Sequence, residues 1–232
     1  MNHKKYISVR DVSFSFSQEG KPFFENMAID FKVGQINFVC GKNGMGKSTL
    51  LKILSGKASS HVQGTFHFEG KNYALQNLQD QFDGIAMVSQ NFNEMLVETY
   101  SFDENLQFAL LSKYPSLKKL SKTLPLPCFV EKYGINSDIP IQMLSGGQRQ
   151  ILSILMVLQR CPKILLLDEP TAALDEENSN LVMTFLQELC IQESITIIAI
   201  VHDFELVKKY SQVVYFELYQ EHRIRKVRII AV

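Results

Sequence analysis

The stretch of sequence that decides the fold is Gly41-Lys42-Asn43-Gly44-Met45-Gly46-Lys47-Ser48-Thr49. It fits the pattern G-x-x-x-x-G-K-[ST]. Its glycines can adopt backbone angles that turn successive N–H groups into one concave nest, which suits an anion. Lys47 adds a flexible positive charge, and Ser48 adds a hydroxyl that can reach Mg²⁺. The pattern is typical of a loop that wraps the phosphates of a nucleotide.

The sequence on either side of this loop supports that interpretation. Residues 36–40 form a short apolar run that predicts a strand, and residues 50–54 continue as a helix that Ser55 and Gly56 end. The loop is therefore expected between a strand and a helix N-terminus, where the helix dipole favours an anion. The alternative is a glycine-rich turn that matches the pattern by chance, and the flanking strand and helix disfavour it.

Composition excludes several classes of protein. The chain has 232 residues, with Lys plus Arg equal to Asp plus Glu at 24 each, so bulk positive charge for gripping nucleic acid is missing. The four cysteines form no C-x-x-C pair, which favours reduced thiols over a disulfide or zinc framework. Residues 1–5 do not begin an apolar signal core, and runs such as 195–201 are too short to cross a bilayer. We expect a soluble chain.

Hydrophobic periodicity predicts an α/β domain. Alternating strands over 7–16, with a bulge at Arg10-Asp11, over 27–31 and over 65–70 give the first third an antiparallel character. The runs 164–167 and 195–201 are continuously apolar, as in strands buried on both faces of a parallel sheet. Ser101 can cap a helix over 103–111, Asp175 a helix over 176–190, and residues 213–230 predict a closing hairpin. We expect a single domain over 1–232, with a helical subdomain inserted at about 95–145.

Candidate chemical groups follow predicted strands at four places: the phosphate loop, Gln90, Asp168-Glu169 and His202. In open α/β sheets, ligands bind at the carboxyl ends of strands. Each group alone has a plain alternative, with Gln90 an ordinary loop amide and His202 a surface histidine. Together they would supply a phosphate cradle, a carboxylate for Mg²⁺, a second carboxylate to orient water and polar groups that sense the terminal phosphate.

A second phosphate cradle is predicted at Leu144-Ser145-Gly146-Gly147-Gln148. Ser145 can cap the helix that follows, which leaves glycine N–H groups exposed at the positive end of that helix. One nucleotide hardly needs two cradles from one chain, whereas two chains arranged head to tail would use both cradles twice.

These motifs together resemble the nucleotide-binding subunit of an ATP-binding cassette (ABC) transporter over nearly the full chain. The matching segments are Walker A at 41–49, the glutamine loop at Gln90, the signature at 144–148, Walker B at 164–169, the D-loop at 172–175 and the switch histidine at His202. The family's adenine-stacking aromatic falls on Phe16, for which a core position is the alternative. Ala172 stands where the family's D-loop frequently has serine. The chain shows neither a long coiled-coil insertion nor a second cassette in tandem.

The resemblance implies a P-loop NTPase core with a mainly parallel sheet, an antiparallel N-terminal β-subdomain and an inserted helical subdomain. It implies ATP and Mg²⁺ as cofactors. The nucleotide would be bound by Phe16 and residues 41–49, and Mg²⁺ by Ser48, Gln90 and Asp168. Glu169 would activate water, with Gln90 and His202 at the terminal phosphate. Ser145, Gly146, Gly147 and Gln148 would complete the site of the other subunit.

The resemblance also implies partners: integral membrane permease subunits, a second copy or a paired ABC ATPase, and a possible solute-binding protein. The location implied is the cytoplasmic face of the cell membrane. The signature and D-loop faintly resemble those of bacterial importers for amino acids or other small solutes. A groove formed by Phe92, Met95, Leu96 and Val97 would receive a short cytoplasmic helix of a membrane subunit; the alternative is that these four residues simply pack the helical subdomain.

Two other functions stay open on the sequence. One is a soluble ABC ATPase that serves a cytosolic assembly such as iron–sulfur cluster biogenesis. The other is a phosphate-loop kinase or GTPase, which the signature motif and His202 disfavour, as does the lack of an Asn-Lys-x-Asp motif for guanine.

Overall fold

The structure is a computed structural model that describes residues 6–18, 20–58, 61–109, 133–210, 214–221 and 224–231. In this part of the chain, ten strands form one sheet in the order β5-β4-β1-β2-β10-β9-β3-β8-β7-β6. The middle of the predicted helical subdomain, residues 110–132, lies outside the described residues. So do residues 1–5 and the tip of the predicted C-terminal hairpin.

One edge of the sheet is antiparallel, as predicted. Its strands are β1 (Tyr6–Phe14), β2 (Phe24–Lys32), β4 (Val62–Phe68) and β5 (Lys71–Ala74). The pairing of β1 with β2 shifts register between Val9 and Val12, and Asp11 between them has φ 54°. The predicted bulge at Arg10-Asp11 is therefore confirmed.

The other edge is parallel. It consists of β3 (Ile36–Cys40), β8 (Thr196–Ile200), β7 (Ile164–Asp168) and β6 (Ile85–Val88). All neighbouring pairs run in the same direction, for example Leu167 beside Val88 on one side and Ala199 on the other. The carboxyl ends of these four strands consequently lie along one edge, where the predicted site residues follow them.

A hairpin of β9 (Val214–Glu221) and β10 (Ile224–Ala231) joins the two halves of the sheet. β9 runs parallel to β3, with Val39 opposite Phe216, and β10 pairs with β2 where Arg225 lies opposite Phe24. The predicted hairpin is confirmed. The antiparallel subdomain is thus continuous with the parallel core.

Six helices are described: α1 (Lys47–Leu54), α2 (Leu78–Gln81), α3 (Phe102–Ala109), α4 (Gly146–Leu158), α5 (Glu176–Glu193) and α6 (Phe204–Tyr210). Short 3-10 turns cover Leu75–Asn77, Phe92–Met95 and Ile141–Met143. The predicted caps are confirmed, since Ser101 Oγ accepts from the Glu104 N–H and Asp175 Oδ1 from the Asn178 N–H. β5, α2 and α6 were not predicted, and each is short.

Two apolar clusters cover the two faces of the parallel strands. Leu165 and Leu167 of β7 belong to the cluster that α4 and α5 complete. Ile164 and Leu166 belong to the cluster that α1 and the antiparallel strands complete. Because successive side chains of a strand point to opposite faces, a strand buried on both faces needs the continuous apolar run that β7 has.

Candidate functional site

The phosphate loop has the backbone conformation that its glycines allow. Gly41, Gly44 and Gly46 have φ values of 135°, 78° and 98°, which L side chains rarely adopt. A Cβ added at Gly41 would lie 2.5 Å from the carbonyl oxygen of Leu218, and one added at Gly46 would lie 2.5 Å from the Phe23 ring. The loop is therefore enclosed by β9 on one side and by aromatic rings on the other.

Lys47, the first residue of α1, folds its side chain back over this loop. Its Nζ donates to the carbonyl oxygens of Gly41, at 2.7 Å, and of Lys42, at 3.2 Å. The residue is only 6% exposed, and burial lowers the pKa of its ammonium group, although Glu169 nearby partly offsets this. A desolvated cation held by neutral carbonyls is favourable for binding an anion such as a phosphate.

Asp168 at the end of β7 meets the loop at Ser48. The Ser48 hydroxyl donates to Asp168 Oδ1 at 3.2 Å, although the two residues are 120 positions apart in the chain. Burial raises the pKa of the Asp168 carboxyl, and the bond from Ser48 counteracts this rise. A hydroxyl and a carboxylate are hard oxygen ligands. Mg²⁺ is usually bound by one or two such protein groups together with the phosphates of the substrate. The residues present therefore fit Mg²⁺.

Glu169 is held by residues from the ends of both neighbouring strands. Gln90, after β6, donates through Nε2 to Glu169 Oε2 at 3.0 Å. His202, after β8, places Nε2 at 2.6 Å from Oε1. Glu169 itself has φ 54°, a left-handed conformation at the turn that follows Asp168. The three groups that the sequence placed at separate strand ends thus form one connected cluster.

Phe16 lies beyond the end of β1 and is 66% exposed, so the alternative that it is a core residue is wrong. Its ring packs edge-on against Phe14 and Phe23, with centroid distances of 5.0 and 4.8 Å. This leaves a supported aromatic ring on the surface, a form suited to stacking on a flat base.

The predicted second cradle begins α4 with a capping box. Gln148 N–H donates to Ser145 Oγ at 3.2 Å, and Ser145 N–H donates to Gln148 Oε1 at 3.0 Å. The expectation that the glycine N–H groups face solvent is wrong for Gly147, whose N–H donates to Asn178 Oδ1 at 3.3 Å and which is buried.

Asn178 is a residue that sequence reasoning missed. Its Oδ1 also accepts from the Ser145 hydroxyl at 2.8 Å, while its own side-chain amide donates to Asp175 Oδ1 at 2.9 Å. It thereby fastens residues 145–147 to the start of α5. The only signal in the sequence was the spacing of Asp175 and Asn178, which is that of an N-cap and the third residue of a helix.

Comparison with known families supports this geometry. The profile of the family described as ABC transporter matches residues 24–172, which contain the phosphate loop, Gln90, the 144–148 segment and the Asp168-Glu169 pair. The chain belongs to the ABC transporter ATP-binding family.

Individual relatives agree with this assignment. A protein of Onion yellows phytoplasma described as an ABC transporter ATP-binding protein is 33% identical over 213 residues, 89% of this chain and 34% of the relative. One from Caldanaerobacter subterraneus subsp. tengcongensis with the same description is 31% identical over 229 residues, 96% of this chain and 91% of the relative. The chain thus spans about a third of the length of several relatives that it matches, for example 34% and 35%.

The fold is also that of solved structures. CbiO1 of Clostridium perfringens, part of the ABC transporter complex CbiONQ, aligns with a TM-score of 0.77 at 26% identity, and the alignment covers 97% of this chain and 87% of that one.

Among the helices of the described residues, none combines the length and the apolar composition needed to cross a bilayer.

The predicted partner groove of this ABC protein has a different lining from the one expected. Phe92 and Leu96 are 8% and 9% exposed and belong to the core, so the packing alternative is right for these two residues. Met95, in contrast, lines a groove of about 830 Å³ together with residues from several elements. The other apolar members of that lining are Leu78, Phe82, Ile85, Ala86, Met87, Phe108, Ala109, Met156, Val157 and Pro162.

Proposed function

We propose that this chain binds and hydrolyses ATP with Mg²⁺ in a head-to-tail dimer, and that hydrolysis powers solute transport by membrane partner subunits. The observation that carries the proposal is the cluster at the carboxyl edge of the sheet. There the Asp168 carboxylate is hydrogen-bonded to Ser48 of the phosphate loop. The next residue, Glu169, is hydrogen-bonded to Gln90 and His202.

Binding of ATP rests on the loop and on Phe16. The backbone N–H groups of the glycine-rich loop and the desolvated ammonium group of Lys47 hold the phosphates. The exposed ring of Phe16 stacks on adenine. Ser48, Asp168 and the amide oxygen of Gln90 would hold Mg²⁺, which neutralises the charge that develops on the phosphate oxygens.

Hydrolysis rests on Glu169. Its carboxylate orients or deprotonates the attacking water. Gln90 and His202 keep the carboxylate in place and would face the terminal phosphate. The transition state is stabilised chiefly by positioned positive groups and dipoles rather than by covalent chemistry.

A second subunit completes the site through Ser145, Gly146 and Gln148, while Gly147 supports this segment through its hydrogen bond to Asn178. In one chain the hydrogen bonds of this segment run to its own helix and to Asn178. Ser145 is exposed and caps the thirteen-residue helix α4, whose positive end the rest of the segment forms, which supports a role toward a nucleotide bound by a partner.

The chain is proposed to act as one domain over 1–232, with the helical subdomain at about 95–145, on the cytoplasmic face of the membrane. The groove lined by Met95 is proposed to take a short amphipathic helix of a membrane subunit. The link to the site is short, since Gln90 precedes the 3-10 turn Phe92–Met95 by two residues.

Glu169→Gln tests the catalytic assignment. The glutamine keeps the shape of the side chain but cannot accept a proton, so we expect ATP binding to persist and phosphate release to fall by roughly 10²–10⁴-fold. Glu177→Gln, an exposed change in the first turn of α5, is the matched control and should retain full activity. Phosphate release by Glu169→Gln at the control rate would contradict the proposal.

A further inference from the structure

The C-terminal hairpin contacts the phosphate loop at its first residue, Gly41, and near its middle, at Gly44. The carbonyl oxygen of Leu218 in β9 lies beside Gly41, so a Cβ added to Gly41 would be 2.5 Å from this oxygen. Arg225 in β10 donates through Nε to the carbonyl oxygen of Gly44, in a long hydrogen bond of 3.4 Å. The hairpin is therefore more than an added edge of the sheet, because it borders the site itself.

The same arginine also contacts the aromatic cluster. Its guanidinium carbon lies 3.7 Å from the centre of the Phe23 ring, within cation–π range. The Phe23 ring in turn packs edge-on against the exposed Phe16, with centroids 4.8 Å apart. The pairing of Arg225 opposite Phe24 places the side chain there, so the contact follows from the strand order.

We propose that Arg225 is a positioning residue that ties the phosphate loop to the Phe16–Phe23 ring pair, so that phosphates and base are bound in one fixed relation. This inference rests on the proposed function. A guanidinium suits the task because it is planar: its face stacks on a ring while an N–H at its edge donates to a carbonyl. Fixing the two parts before ATP arrives reduces the ordering cost of binding.

Arg225→Ala tests the proposal through two ligands. With Mg²⁺ present, the Kd of ATP should rise about 5- to 10-fold, because the loop and the ring pair, no longer held together by Arg225, must then be ordered when ATP binds. The affinity for inorganic tripolyphosphate, which has no base to stack, should change by less than about 2-fold. The kcat at saturating ATP and the melting temperature should stay close to those of the unchanged chain. Arg225→Lys should not restore ATP affinity, because an ammonium cannot stack and donate in the same way.

Arg228→Ala is the matched control on the same strand. Arg228 pairs with Glu217 and lies over Tyr219, so its loss removes the same kinds of contact without touching the loop. It should leave both affinities unchanged. A second test combines Arg225→Ala with Phe23→Leu: if both act through one contact, the double variant should weaken ATP binding no more than the stronger single change.

Several results would overturn the proposal. These are an unchanged ATP affinity in Arg225→Ala, an equal weakening of ATP and tripolyphosphate, full rescue by lysine, or additive effects in the double variant. The proposed function fails separately, if the unchanged chain binds no ATP.

Discussion

Replacing Gly41 with alanine should destabilise the protein much more than the same replacement at Gly44. Both positions have positive φ, 135° and 78°, and a left-handed backbone costs an L residue about 1–2 kcal/mol. Only Gly41 carries a further penalty, since its Cβ would lie 2.5 Å from the Leu218 oxygen and 3.3 Å from the Leu218 carbonyl carbon. At Gly44 nothing lies within 4 Å of the added atom.

The overlap at Gly41 involves backbone of β9, which cannot rotate away as a side chain would. Overpacking of this kind costs about 1–3 kcal/mol. Gly41→Ala should therefore lose about 2–5 kcal/mol and Gly44→Ala about 1–2 kcal/mol. In a domain of this size each kcal/mol lowers the melting temperature by about 2–4 °C.

Urea unfolding and thermal melts of the two variants, each with and without ATP, measure this difference. Gly41→Ala should also respond less to added ATP, because a displaced loop binds phosphate less well and ligand stabilisation follows affinity. Equal losses of stability in both variants would refute the reasoning, since β9 would then yield to the methyl group at no cost and could not hold the loop.

Three further predictions concern the site and its partners. Gly146→Asp puts a carboxylate where the phosphate of a partner's nucleotide should dock, and the like charges repel. ATP binding by the single chain should survive, while dimerisation, measured by gel filtration with ATP, and hydrolysis should fail. A loss of ATP affinity as large as that of Lys47→Ala would contradict this prediction. Asp168→Asn should raise the melting temperature without nucleotide and abolish the Mg²⁺-dependent part of ATP binding. The reason is that burial raises the pKa of Asp168: its charged form, present at pH values above that pKa, destabilises the fold, and this cost disappears as pH falls through the pKa. A photo-crosslinker at Met95, in native membranes, should capture an integral membrane protein, whereas one at the exposed Ile191 should not; capture of soluble proteins alone would favour a cytosolic assembly ATPase.

Sequence reasoning succeeded where the signal is local. Strands such as β7 need a continuous apolar run, and caps such as Ser145 need a hydroxyl in the residue before the helix, so both can be predicted from a few neighbouring residues. The cluster of Gln90, Glu169 and His202 could also be anticipated, because the carboxyl ends of parallel strands share one edge of the sheet.

It failed where a contact depends on strand order. Nothing near Arg225 in the sequence predicts that β10 lies beside β2, and only that neighbourhood brings its guanidinium to Phe23. Asn178 was missed for a related reason, since its bond to Ser145 depends on how α4 and α5 pack. For Phe92 and Leu96 the sequence left a core and a partner surface both open, because apolar side chains suit either place and burial alone distinguishes the two.

The contacts of Glu169 bear on whether the site must rearrange before it can act. Each carboxylate oxygen already has one partner, Gln90 at 3.0 Å on Oε2 and His202 at 2.6 Å on Oε1. An ionised carboxylate offers about four lone-pair positions in total, so two partners leave capacity for a water molecule. Gln90 uses its Nε2 in this bond, and the oxygen of the same amide is the atom that suits a metal. The proposed roles of Gln90 and Glu169 are therefore compatible with one arrangement, and binding of ATP need not separate these two residues. Gln90→Leu should accordingly impair positioning of Glu169 as well as Mg²⁺ binding, because both depend on the same amide.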